Sequence, residues 1–218
     1  MNLDFSIVWQ YWPFLYHGAL LTLQMTFICV ICGFVLGVLL SLIKISKCTP
    51  LVWFGRFYTS IFRGTPLLVQ LCIVHFGLPQ LLGVTFTTTQ SGILTFSLNS
   101  AAYISEIFRG GIQGVPAGQR EAGQVLGMTR SQIFFQVTLL QVVKRIVPPM
   151  GNEIITLVKD TSLSNFIMVG EIIKLAKDFG NKGMIWPLFY AGAFFLVFNG
   201  IVTLALSRTE KKLDYFRV

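Results

Sequence analysis

Charge is what this sequence has least of. Asp, Glu, Lys and Arg together make up 12% of its 218 residues, against roughly 25% in a soluble domain. So few charges cannot cover the surface of a soluble protein of this size. Disorder is excluded too, because 54% of the residues are hydrophobic and Phe alone occurs 20 times. Only two histidines occur; His17 and His75 each stand alone without metal-ligand spacing and read as polar anchors. Cys29 and Cys32 form a C-x-x-C, but it lies in an apolar run without a second pair, and Cys48 and Cys72 are distant. That placement points to packing rather than to metal or redox chemistry. No Gly-x-x-x-x-Gly-Lys-[Ser/Thr] is found, which argues against a nucleotide phosphate loop in this chain. No Lys or Arg precedes Lys44, so the basic n-region of a cleaved signal is missing and the first apolar run reads as a retained span.

What the sequence does have is long apolar runs, which indicate one all-α integral membrane domain over 1–218. Five spans are expected. The first covers 15–43, holds the close-packing pattern Gly33-x-x-x-Gly37, and follows an aromatic belt of Trp9, Tyr11, Trp12 and Tyr16. The second covers 53–82 and is interrupted at Arg63-Gly64-Thr65-Pro66, with Thr65 placed to cap and Pro66 to start a new helix. The third covers 90–108. The fourth covers 148–173 and is broken by the polar stretch 159–165, and the fifth covers 184–206.

Basic residues orient these spans. Lys44, Lys47 and Arg56 fall between the first two spans; Arg109, Arg120, Arg130, Lys144 and Arg145 between the third and fourth; Arg208, Lys211, Lys212 and Arg217 in the tail. The opposite loops hold only Lys174, Lys177 and Lys182. The excess marks the cytoplasmic side, so the N-terminus is expected outside, the C-terminus inside, and 109–147 in the cytoplasm. This also accounts for the net charge of +8 without nucleic acid.

Within 109–147, Pro116 suits a helix start, Gly127 a helix end, and Thr129-Arg130-Ser131-Gln132 a capping box. Two short helices joined by a Gly turn are therefore expected. Such a unit could dock in a partner's groove or lie on the membrane surface, and the residues alone leave both open.

The motifs carry a resemblance. Glu121-Ala122-Gly123, then Gly127, then the apolar run 133–140 resemble the cytoplasmic EAA loop of ABC-importer permeases. Gly123 stands where a second Ala is common, and Leu140-Gln141 where Leu-Pro is usual. Arg63-Gly-Thr-Pro-Leu-Leu-Val-Gln70, Asn99-Ser-Ala-Ala-Tyr103 followed by Glu106 and Arg109, and Gly151-Asn-Glu153 followed by Lys159-Asp-Thr-Ser-Leu163 are similar to the polar amino-acid (histidine/glutamine-type) branch of that family. The resemblance spans nearly the whole chain. It implies a type I ABC importer permease fold in a bacterial inner membrane, with a second permease subunit, the same or a paralogue. It also implies a cytoplasmic ATPase dimer docked on Glu121, Ala122, Gly123 and Gly127, and an extracytoplasmic amino-acid-binding protein. ATP and Mg would belong to the partner ATPase. This chain would hold no cofactor or metal and would not itself be an enzyme.

Ionisable residues inside spans are functional candidates. Glu153 and Asp160 are two helical turns apart and share a face if the helix persists, with Thr156 and Leu157 between them. Asn99 and Tyr103 similarly share a face of the third span. For these residues a substrate pocket stands beside structural readings: a bond from Glu153 to Asn152 or the third span, and a pair from Asp160 to Lys159 or Arg63. Glu106 and Arg109 read as a structural pair. At the broken spans, free backbone N–H groups at Gly64 and Thr65, aided by Arg63, could hold a substrate carboxylate, and Ser162 could contribute at the second break. Two acids favour a basic substrate (Arg, Lys or His), with a neutral one such as Gln as the alternative. A small intramembrane enzyme using Glu153 and Asp160, or an ATP-independent carrier, is a reading from another class, and the cytoplasmic loop speaks against both.

Overall fold

The computed structural model of the protein describes residues 5–213, with side chains from Tyr11 onward; the side chain of Trp9 in the expected belt, and Arg217 of the tail, lie outside what it describes. All regular elements among the described residues are helical. In chain order they are α1 Phe5–Ile45, α2 Thr49–Gly64, α3 Leu67–Leu82, α4 Thr88–Gln113, α5 Ala117–Val125, α6 Arg130–Ile167, α7 Ile172–Gly180 and α8 Trp186–Leu213.

α1, α6 and α8 are each long and apolar enough to cross a membrane, and α2 with α3 makes a fourth candidate bent by 106°. α4 has 26 residues, or about 39 Å of helix, which is long enough. Its buried face is polar, however, with Ser91, Thr95, Ser97, Asn99, Ser100 and Ser105 all buried, so composition alone does not mark it as a span. Hydroxyls on that face satisfy themselves on the helix's own backbone: Thr95 Oγ1 donates back to Ser91 O at 2.7 Å and Ser105 Oγ to Ala102 O at 2.8 Å.

α1 packs along α4 through the glycine pair seen in the sequence. A Cβ on Gly33 would lie 3.0 Å from Ser100 Cβ, and one on Gly37 would lie 2.7 Å from Ile104 Cβ and 3.1 Å from Ala101 O. The two backbones approach because neither position carries a side chain. Gly37→Val should therefore force the helices apart, since the obstacle is backbone and a branched Cβ rather than a flexible tip. We expect the solubilised protein to lose about 2–12 °C of melting temperature, from an overpacking cost of about 1–3 kcal/mol. Unchanged melting would remove this contact from the fold's support.

Beside that crossing, Met25 and Cys29 of α1, Leu71 of α3, Phe96 of α4 and Leu157 of α6 form one buried cluster. Cys29 is thus a packing residue. A second cluster joins Ala19 of α1 with Ile172 and Ala176 of α7 and Ala191 of α8. Outside these clusters large apolar side chains face outward; Phe189 is 78% exposed and Leu196 75%. An apolar perimeter of this kind suits lipid rather than water.

Four sequence expectations need correction. Thr65 does not cap α3: it ends α2, its hydroxyl donates to Ile61 O at 2.8 Å, and Pro66 takes the cap position. The capping box Thr129–Gln132 forms, with Gln132 N donating to Thr129 Oγ1 at 3.3 Å, but the helix it opens is not short. It runs on through Pro148 and Pro149 to Ile167, so the fourth span and the second helix of the loop are one element. The prolines lie within its α-helical part, Leu139–Asp160, and the polar stretch 159–165, expected to break the span, instead passes without interruption into a 3₁₀ stretch at Thr161–Ile167. The expected loop 109–147 correspondingly shrinks, since α4 continues to Gln113.

Candidate functional site: an acidic cavity between broken helices

The break between α2 and α3 is held open by amides. Gln70, which is buried, donates through Nε2 to Phe62 O at 2.8 Å, Thr65 O at 3.1 Å and Thr65 Oγ1 at 2.9 Å. Asn99 of α4 donates through Nδ2 to Phe62 O at 3.2 Å and to Gln70 Oε1 at 3.0 Å. These bonds satisfy the carbonyls left over at the end of α2, a requirement for any helix end buried in a membrane domain. Gln70 went unassigned by the sequence reading; its signal was a polar residue one turn past an Arg-Gly-Thr-Pro break.

Against this break lies a cavity of about 500 Å³, lined by Thr65 and Leu67 at the break, Asn99 and Tyr103 on α4, and Pro149, Asn152, Glu153, Thr156 and Asp160 on α6. The helix spacing explains the last set: 149, 153, 156 and 160 recur at four, three and four residues, one face of an α-helix. Leu157 turns the other way and is buried in the apolar cluster. Glu153 Oε1 accepts a hydrogen bond from Ser100 Oγ at 2.8 Å, so one of its structural readings, a bond to the third span, coexists with its place in the cavity. The pair proposed between Asp160 and Lys159 or Arg63 is not formed among the described residues. Asp160 also stands at the end of the α-helical part of α6, where the helix dipole is negative and favours a cation.

Five of the eight sequence candidates therefore come together: Glu153, Asp160, Asn99, Tyr103 and Thr65. Three do not. Gly64 is the last residue of α2 and does not line the cavity. Ser162 turns back to donate to Lys159 O at 2.6 Å. Arg63 lies over the Tyr103 ring, 5.3 Å from its centre, and opens on a different cavity. Nor is the Thr65 N–H free for a ligand, because it donates to Ile61 O at 3.1 Å.

Glu106 and Arg109 pair as expected, Arg109 Nε donating to Glu106 Oε2 at 2.9 Å. Lys44, read from the sequence only as a loop charge, joins them: it is buried, bonds Ser105 Oγ at 3.1 Å and forms an ion pair with Glu106. A buried ammonium of this kind needs such a partner.

The second candidate surface is α5. Gly127 has φ +75°, the left-handed conformation that ends this helix, with Met128 N donating to Gly123 O at 3.0 Å. A Cβ on Gly123 would lie 2.8 Å from Ile133 Cγ1, so a bare backbone there lets α5 fold down on α6. Glu121 and Ala122 are exposed, and the tip presents Val125 (87% exposed) and Leu126. Glu121, Arg120, Gln124, Arg130, Ile133 and Phe134 line a cleft of about 590 Å³ between α5 and α6.

Residues 30–213 match the family described as binding-protein-dependent transport system inner membrane component. The arginine transport system permease protein ArtQ of Bacillus subtilis is 41% identical over 215 residues, covering 98% of both chains. The putative glutamine transport system permease protein GlnP of Rickettsia bellii is 39% identical over 202 residues, 92% of this chain and 93% of that protein. Among solved structures, an amino acid ABC transporter crystallised with histidines superposes with a TM-score of 0.89 at 32% identity, over 97% of this chain and 100% of that one.

Proposed function

Because the chain belongs to the family of binding-protein-dependent transport system inner membrane components, we propose that it carries a basic amino acid across the inner membrane as the permease of an ATP-driven importer. It is an amino-acid ABC permease and not an enzyme; ATP is hydrolysed by a separate ATPase subunit. The nucleotide and its Mg belong to that subunit. Five spans cross the membrane, with α4 the most polar of them, the N-terminus outside and the C-terminus in the cytoplasm. Two such permeases, each a single domain, pair over an ATPase dimer, and an extracytoplasmic binding protein hands over the amino acid. The segment between α4 and α6 is the coupling segment, and the exposed tip of α5 with Glu121 and Ala122 docks on the ATPase.

The observation that carries the substrate reading is the placement of Glu153 and Asp160 on one face of α6, inside one cavity, with no cation paired to either among the described residues. Two carboxylates match the two positive groups of a basic amino acid, the α-ammonium and the side chain. Charges in a membrane interior are costly unless a ligand or partner uses them. Thr65, Asn99 and Tyr103 complete the pocket and orient the amino acid. The Gln-permease relative motivates the alternative, a neutral polar substrate. Reconstituting the chain with its ATPase in liposomes and measuring ATP-driven uptake of labelled Arg, His, Gln and Glu, each with its binding protein, separates the two. Arg or His should be preferred by about tenfold or more, the scale of one buried charge contact. Equal uptake of Gln would remove the charge argument while leaving the transporter.

A further inference from the structure

A second cavity, of about 470 Å³, has the opposite charge. Lys44, Arg56, Arg63 and Arg109 line it, and Glu106 is its single carboxylate among the described residues. That carboxylate is already held by Lys44 and Arg109. Arg56 and Arg63 are exposed to the cavity without a carboxylate partner among the described residues. Arg63 is also the wall. Its guanidinium stacks over Tyr103, and Tyr103 lines the acidic cavity. Thr65, two residues beyond Arg63, lines the acidic cavity as well. One cation–π contact therefore separates a chamber rich in carboxylates from a chamber rich in cations.

We propose that the basic cavity is a second chamber on the transport path, which takes the α-carboxylate of the amino acid as it leaves the acidic cavity, with Arg63 on Tyr103 as the partition. The proposal rests on the reading of the acidic cavity as the amino-acid pocket. An amino acid is a zwitterion. In the first chamber Glu153 and Asp160 hold its positive groups and repel its carboxylate. Across the partition the unpaired guanidiniums of Arg56 and Arg63 attract that carboxylate, and Arg is suited to it because its fork of N–H donors matches the two oxygens. The volume lies within the range that takes a small molecule. A guanidinium stacked on a ring can turn to a carboxylate without a buried ion pair having to break first.

The test uses a probe with a carboxylate and no ammonium, N-acetyl-L-glutamine, titrated against the solubilised complex of this chain with its ATPase by saturation-transfer NMR. The imported amino acid is titrated in parallel. The complex should bind the probe, Arg56→Gln should weaken that binding by about tenfold, Arg56→Lys, which keeps the charge but not the fork, should restore only part of it, and Glu153→Gln should leave it unchanged. The imported amino acid should behave conversely, bound normally by Arg56→Gln and poorly by Glu153→Gln, while uptake by Arg56→Gln slows. Arg56 is an exposed surface residue, so its variants should fold; elution of each complex at the native size checks this. Arg63→Gln should likewise weaken binding of the probe. Probe binding that is absent from the unmutated complex, indifferent to both arginine variants, or lost in Glu153→Gln overturns the second chamber. If instead Glu153→Gln leaves binding of the amino acid intact, the pocket reading fails, and the two failures are thereby told apart.

Discussion

Replacing Glu153 by Gln should cut the affinity of the solubilised complex for a cationic amino acid by at least about 30-fold. The substitution keeps the shape of the side chain and leaves Ser100 Oγ, now 2.8 Å from Oε1, with an acceptor, so the packing of α4 on α6 is preserved. What is lost is one full charge in a cavity walled by helices. Removing one partner of a desolvated charge pair costs about 2–5 kcal/mol, and each 1.4 kcal/mol is a factor of about ten. Binding of a neutral amino acid such as Gln uses fewer charges and should fall by much less, so the ratio of the two affinities is the decisive number. Isothermal titration with L-arginine and L-glutamine measures it directly. A ratio unchanged by the substitution would take Glu153 out of substrate selection and leave it as a structural acceptor for Ser100.

Gly127→Val should uncouple ATP hydrolysis from import. Gly127 sits at φ +75°, where a β-branched residue meets steric resistance of about 1–3 kcal/mol. Gly127 closes the turn between α5 and α6, so the strain would be relieved by re-angling α5 and its exposed tip at Val125 and Leu126. A coupling free energy of that size corresponds to a change of about 5- to 150-fold. The expected result is an ATPase that still turns over while amino acid imported per ATP falls at least about fivefold. Gly127→Asn is the control, since Asn tolerates the left-handed conformation, and it should couple nearly as the native chain does. Normal stoichiometry in the Val variant would mean that docking does not depend on this turn.

The two sites differ in how legible they were. The coupling turn could be read almost residue by residue, because Pro116, Gly127 and the Thr129–Gln132 box act locally, through φ and through hydrogen bonds spanning three or four residues. The departure at Gly123 became intelligible only when Ile133 was seen against it. The acidic face of α6 was readable as well, since the spacing of 153 and 160 is a helical period. Its partners were less so. Thr65 and Arg63 are neighbours in sequence, yet Thr65 lines the acidic cavity while Arg63 turns across Tyr103 to the basic one. At a bend of 106°, side chains two residues apart need not share a side.

The sequence by itself determined the membrane environment, the expected sidedness of the loops, the break between α2 and α3 and the turn that ends α5. Each follows from composition or from interactions between residues close along the chain. Only the tertiary structure decided that Gln70 and Asn99 clasp the end of α2, that Lys44 is buried against Glu106 rather than free in a loop, and that two cavities of opposite charge share one wall. Apart from the bonds of Gln70 to Phe62 and Thr65, eight and five positions back, the contacts named join residues 29 to 62 positions apart. Hydrogen bonds and ion pairs at that separation are set by how helices cross, here by Gly33 and Gly37 bringing α1 onto α4, and no local pattern in the chain encodes which polar group meets which.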